Sequence, residues 1–390
     1  MDQFDDIRSY RESDYQIAVR RLWDDPQFLS LLSQVPFVKD AAQLREQVLG
    51  LSSLHDFQQA VIIPMLGRLC ALGTESLSQD GLERLDRSKG YLFISNHRDI
   101  IMDSIQLNHL LYGQGMEPGE TAIGDNLLIQ PWIADLVRLS KCFIVRRSLS
   151  VKQQLIASRE LSAYIRDTLC RRSQSVWLAQ REGRAKDSDD RTQKSIIKML
   201  IMSGEGNILK DLASLNPVAL SISYQYDPCD YLKAKELLLK RDRPDFRKKP
   251  QDDLLSMTTG MTGTKGQVHY HAGACLASSL LKMDEGLPKN ELLDRVCTLI
   301  DREIHAGYRI YPGNYAALEL LGRLPGHEDL AALSGHGGCT AEEKRLFEDY
   351  IERQISRIDL PDSEKDTVFL REKLLEMYAN PLINHKRTTI

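Results

Sequence analysis

The chain has 390 residues, of which 42% are hydrophobic and 27% charged, with a net charge of -4. That length suits two or three domains, or one large core with helical additions, in an ordinary globular composition. The slight acidity argues against bulk nucleic-acid binding. Cys70, Cys142, Cys170, Cys229, Cys275, Cys297 and Cys339 are scattered, lack zinc spacing and read as reduced small hydrophobes of a cytoplasmic protein. The opening M-D-Q-F-D-D-I is acidic and does not read as a signal peptide. A spanning helix needs about 20 apolar residues. The longest candidate, residues 60–72, is interrupted by Arg68, so any membrane contact is expected to be peripheral.

Residues 1–85 read as a helical region. Apolar residues recur at helical spacing over 15–23, 28–32, 41–54 and 57–72, with breaks or kinks at Pro26, Pro36 and Pro64. The face made by Val61, Ile62, Met65, Leu66 and Leu69 is expected to pack on the next domain, with a membrane as the alternative.

Residues 86–286 alternate short apolar runs with longer amphipathic ones. Strands are predicted over 91–95, 142–145, 175–179, 219–224 and 267–271. Helices are predicted over 102–112, 131–139, 152–171 and 192–202. The alternation predicts an α/β core with a central, mainly parallel sheet flanked by helices. Neither G-x-G-x-x-G nor a P-loop is present, which weakens nucleotide readings. The glycine-rich 258–266 reads as a flexible loop or tight turn, and the mixed charge run 240–253 as a solvated loop. The basic residues of that run also suit anionic lipid or an acidic carrier. His269 and His271 share a face of their strand, where packing or hydrogen bonding is the expected role and metal binding the alternative. Residues 287–390 read as a helical C-terminal region, with helices over 290–305, 315–321, 341–355 and 363–378. Pro325-Gly326 and the glycines at 335–338 separate them, and the tail 384–390 reads as loose.

Four short pieces lie at or near predicted strand ends. Asn96-His97 is followed by Asp99 and Asp103. Phe143-Ile144-Val145 runs into Arg146-Arg147. Glu182-Gly183-Arg184 follows the third strand, and Asn216-Pro217-Val218 opens the fourth. Each is weak alone, and together they are expected to converge on one edge of the sheet. A histidine delivered by a buried strand beside a carboxylate suits a general base with an orienting partner. Asp103 is the expected partner and Asp99 its rival.

In this order the pieces resemble the conserved blocks of the glycerolipid acyltransferases, over about residues 86–286. Asn96, His97 and an aspartate match N-H-x-x-x-x-D, with one extra residue before Asp103. Phe143, Ile144 and Arg146 match F-I-x-R. Glu182 and Gly183 match F-P-E-G-T-R-S, where Arg181 replaces the proline and Arg184-Ala185-Lys186 replaces T-R-S. Pro217 and Val218 match V-P-V.

The resemblance implies acyl transfer from acyl-CoA or acyl carrier protein to a hydroxyl of a glycerol phosphate or lysophospholipid, in phospholipid biosynthesis. It implies no metal or cofactor, and a protein at the cytoplasmic face of a membrane. His97 and Asp103 would be the catalytic pair. Arg146, Arg147, Glu182, Gly183 and Arg184 would bind the acceptor, and Pro217 and Val218 would lie in the acyl-donor region. The absence of a G-x-S-x-G elbow fits direct attack on an already activated thioester. Two alternatives remain open: an acceptor without phosphate, such as an acylated amino acid, and a non-catalytic acyl-CoA or carrier-binding protein.

Overall fold

A computed structural model describes residues 3–33, 38, 40–147, 149–327, 329–330 and 338–389. Pro36 and the glycines at 335 and 337 lie outside the described residues. Among the described residues seven strands form one sheet: β1 Thr74–Asp80, β2 Leu92–Ser95, β3 Glu120–Gly124, β4 Cys142–Val145, β5 Val176–Ala179, β6 Pro217–Tyr224 and β7 Gly266–Cys275. Their order is β1-β7-β6-β2-β5-β3-β4. The strands β6, β2, β5, β3 and β4 run parallel, β7 runs against β6, and β1 follows β7. This is the expected α/β architecture.

Alternation along β2 builds the core on both faces. Leu92 and Ile94 pack with Val176, Leu178 and Ala219 on one face. That face is covered by helices Val151–Arg166, Lys194–Leu200 and Lys289–Ala306. Phe93 packs with Trp177, Val218 and Leu220 on the other, under helix Met102–Gly113. Burying one such Leu or Phe side chain stabilises the fold by about 1.5–3 kcal/mol. The N-terminal helices and the C-terminal helices each form a further apolar cluster.

The terminal regions enter this core. Phe4 and Ile7 pack in it, and the Ile7 carbonyl accepts from the Ile144 N–H at 2.8 Å. Leu293, Val296 and Ile300 of helix Lys289–Ala306 are buried in the same cluster. The sheet also begins before residue 86, because β1 is its edge strand. Its sequence T-E-S-L-S-Q-D is too polar to announce a strand. β3 is missed for a related reason: Glu120 is buried at its start, held by Tyr164, Ser9 and Arg172.

Three loop expectations are corrected. Helix Pro250–Thr262 takes up most of the glycine-rich 258–266. Thr258 and Thr262 hydroxyls donate back to carbonyls one turn earlier. Just past the helix, the fully buried Lys265 donates to the Leu72, Met261 and Gly263 carbonyls, which satisfies groups that a helix end leaves open. The charge run 240–253 is loop only between Asp242 and Pro250. Within it, Arg241 and Arg243 pair with Asp366 and Glu364. The tail is helical through Thr389, and Asn384 is buried there with Asp189 and Arg191 as partners.

Candidate active site

The end of β2 is pinned before His97 leaves it. The Asn96 side chain donates to the Ile222 carbonyl at 2.9 Å and accepts from the Ile222 N–H at 2.8 Å. It therefore continues the ladder where the backbone departs. The Trp177 indole N–H donates to Ser95 Oγ at 2.9 Å. The imidazole of His97 stands edge-on to the Trp177 ring, with centroids 5.5 Å apart. His97 thus emerges at the carboxyl edge of the parallel strands, where such sheets gather their ligands.

Asp103 is the partner of His97. Its Oδ2 lies 2.8 Å from His97 Nδ1 and also accepts from the backbone N–H groups of Arg98 at 2.7 Å and Asp99 at 3.1 Å. Asp103 sits in the first turn of helix Met102–Gly113, while His97 stays in the preceding loop. The loop absorbs the extra residue. A carboxylate oxygen accepts, so Nδ1 carries the proton and Nε2 is left with its lone pair. Behind the pair, the Tyr224 hydroxyl lies 3.1 Å from Asp103 Oδ1, and the Tyr270 hydroxyl donates to the Asp103 carbonyl at 2.9 Å.

Asp99 has a different task. Its Oδ1 accepts from the Ile101 and Met102 N–H groups and caps the helix. Burial, then repulsion from Asp103, raises its carboxyl above the usual carboxylate range. Gly260 makes room for it, since a Cβ there would stand 1.7 Å from Asp99 Oδ2.

Two cavities adjoin at Ala122 of β3, which lines both, and His97 lines the first. The first, about 380 Å³, is lined by His97, Trp177, Arg146, Arg147, Arg181, Glu182 and Gly183. Arg146 is half-buried between Asp6 and Glu160, whereas Arg147 is exposed. Gly183 adopts φ +69, which favours glycine, and a Cβ there would meet nothing within 4 Å. The second, about 850 Å³, is apolar. It runs under Ile100, Ile101 and Ser104 between the N-terminal helices and helix Pro250–Thr262. Ile62, Met65, Leu66 and Leu69 line it, so much of the face singled out in the sequence encloses a cavity.

The four pieces do not all converge. Arg184 is buried behind the site, its charge maintained against burial by Cys229, Asp99 and Asp227, and it does not line the first cavity. Lys186 pairs with Glu236, and burial lowers its ammonium to about 8. Arg181 lines the cavity instead, a position that the sequence presented only as a departure from the proline. Pro217 and Val218 pair with Leu92 and Phe93, at the amino end of β2 and away from His97. A parallel strand's start must lie at the edge opposite its neighbours' ends. The histidines of β7 are engaged together: Asp80 lies 3.4 Å from His269 and 2.6 Å from His271. Trp177, Tyr224 and Tyr270 gave no sequence signal beyond aromatic strand character.

The Acyltransferase family model matches residues 77–204. Over this segment the chain is similar to the acyltransferase family. Asn96, His97, Phe143, Arg146, Glu182 and Gly183 all lie inside it, and Pro217 and Val218 lie beyond it. No curated protein matches the chain. Among solved structures, the 1-acyl-sn-glycerophosphate (LPA) acyltransferase PlsC from Thermotoga maritima aligns over 75% of this chain and 95% of its own. Identity is 12% and the TM-score 0.36, so that likeness carries no argument.

The geometry of this site predicts unequal roles for its two aspartates. Asp103→Asn should lower kcat for thioester-dependent acyl transfer by about 10²-fold or more, the scale of impaired general-base catalysis. Asp99→Asn keeps an oxygen for the cap and should stay within a few-fold of wild type. Initial rates of thiol release measure both, and a silent Asp103→Asn would remove this carboxylate from the mechanism.

Proposed function

We propose that the protein moves a fatty acyl group from acyl-CoA or acyl carrier protein to a hydroxyl of a glycerol phosphate or lysophospholipid. The observation that carries this reading is an arginine-lined cavity at His97 next to an apolar one, with Ala122 lining both. The apolar cavity falls in the range of about 300–1,000 Å³ typical of small-ligand sites. It takes the acyl chain in this reading. The arginine-lined cavity takes the acceptor, with Arg147 and Arg181 on its phosphate and Glu182 on a hydroxyl.

His97 Nε2 removes the hydroxyl proton as that oxygen attacks the thioester carbon. Asp103 keeps Nδ1 protonated and stabilises the imidazolium that forms. The tetrahedral intermediate collapses, the C–S bond breaks, and the thiolate takes the proton back from His97. The products are an ester and a free thiol, and His97 returns to its starting state.

The cavity mouth supports peripheral contact with the cytoplasmic face of a membrane. Leu31, Ile129 and Leu254 line the apolar cavity and are each about half exposed, and Leu255 beside them is 49% exposed. Among the described residues no helix is long and apolar enough to cross a membrane. Leu254→Glu/Leu255→Glu should lower co-sedimentation with phosphatidylglycerol-containing vesicles. Binding unchanged by that pair of charges would place the contact elsewhere.

The activity test is thiol release from palmitoyl-CoA and palmitoyl-carrier protein with glycerol 3-phosphate, a lysophosphatidic acid and non-phosphorylated lipid alcohols in parallel. Turnover is expected only with phosphorylated acceptors and should be lost in His97→Ala. Arg147→Ala and Arg181→Ala should each raise the acceptor KM about 10-fold or more, as loss of a charge-assisted hydrogen bond implies. Turnover confined to non-phosphorylated acceptors contradicts the phosphate assignment. Thioester binding without turnover for any acceptor favours a non-catalytic binding protein.

A further inference from the structure

Arg98 stands between His97 and Asp99, and each of its polar groups is clamped. Its N–H donates to Asp103 Oδ2 at 2.7 Å. Its carbonyl accepts from the buried Lys233 Nζ at 3.1 Å. Its guanidinium grips Asp190 with both terminal nitrogens, Nη2 to Oδ2 at 2.7 Å and Nη1 to Oδ1 at 3.3 Å. Arg98 is 5% exposed and Asp190 is fully buried. Burial opposes the charge on Arg98, and Asp190, Tyr308 and Asp227 together more than restore it.

Asp190 is itself fixed from the C-terminal helices. The Tyr308 hydroxyl donates to Asp190 Oδ2 at 2.6 Å, and His305 Nε2 lies 2.8 Å from the Asp190 carbonyl. Asp190 also belongs to the loop that carries Glu182 and Gly183 after β5. One bidentate ion pair therefore ties the loop of the histidine to the loop of the acceptor cavity. A rigid planar fork suits that task better than a flexible ammonium.

We infer that Arg98 is a positioning residue, which with Asp190 and Tyr308 holds the lengthened 97–103 loop in the one register where Asp103 meets His97. The clamp explains how a loop with an extra residue keeps a 2.8 Å pair. It also gives residues 287–390 a part in the active site without touching substrate. The inference rests on the acyl-transfer reading for its kinetic consequence, but not for its structural one.

The test compares Arg98→Met with the apolar replacement Arg98→Met/Asp190→Leu/Tyr308→Phe. Removing one partner strands a buried charge, whereas removing the whole cluster is often tolerated by the fold. Both variants should lower kcat about 10²-fold, the cost of a small misplacement, with thioester KM nearly unchanged. The triple variant should do so while its melting temperature stays near that of wild type. A triple variant with wild-type kcat would overturn the inference, because the cluster would then serve stability alone. A second readout needs no turnover: the imidazole NMR of His97. The hydrogen-bonded Nδ1–H resonance should be present in wild type and lost or shifted in both variants. An unchanged resonance in folded variants also overturns the inference. If wild type shows the resonance but transfers no acyl group, the proposed function fails while the positioning role stands.

Discussion

The site depends on one carboxylate oxygen. Asp103 Oδ2 gathers three donors, the ring of His97 and two consecutive backbone N–H groups. The backbone bonds fix where the oxygen stands, and the oxygen then fixes which way the imidazole faces. Because it lies at the start of a helix, the same carboxylate is also favoured by the helix dipole. Everything else in the site positions this oxygen or uses its consequence. Asn96 ties the end of β2 to β6, Asp99 caps the helix, and Gly260 leaves space for Asp99.

The sheet gathers further residues around that local arrangement. The parallel strands β2, β5, β3 and β4 end on one edge, so residues just beyond them meet although they are far apart in sequence. His97 follows β2, Arg146 and Arg147 follow β4, and Arg181 to Gly183 follow β5. The N-terminal helices and helix Pro250–Thr262 then enclose an apolar volume on the other side of Ala122. The terminal regions thus serve the core directly, one by walling a cavity and the other by holding Asp190.

What was legible in the sequence follows from short-range physics. Apolar β-branched runs announced β2, β4, β5, β6 and β7, and the strand-to-loop junctions announced His97, Arg146 and Glu182. Two strands were not legible, because the edge strand β1 buries little and the inner strand β3 opens on a glutamate whose partners are remote in sequence. The choice of Asp103 over Asp99 came from family spacing, and its physical basis is a pair of backbone bonds invisible to any pattern. Arg184 illustrates the opposite failure. A charged residue two places after Glu182 looked like a ligand, but the turn at Gly183 sends it inward and brings Arg181 to the cavity. Pro217 and Val218 matched by residue type while lying at the wrong end of their strand.

The central claim is that acyl chain and acceptor approach His97 from two different cavities. A crystal structure with a non-hydrolysable thioether analogue of palmitoyl-CoA and glycerol 3-phosphate tests it most directly. The account predicts the chain beneath Ile101 and Ser104 in the apolar cavity, the phosphate against Arg147 and Arg181, and the acceptor hydroxyl within hydrogen-bond reach of His97 Nε2. A chain lying in the arginine-lined cavity, or a phosphate bound away from both arginines, would contradict it.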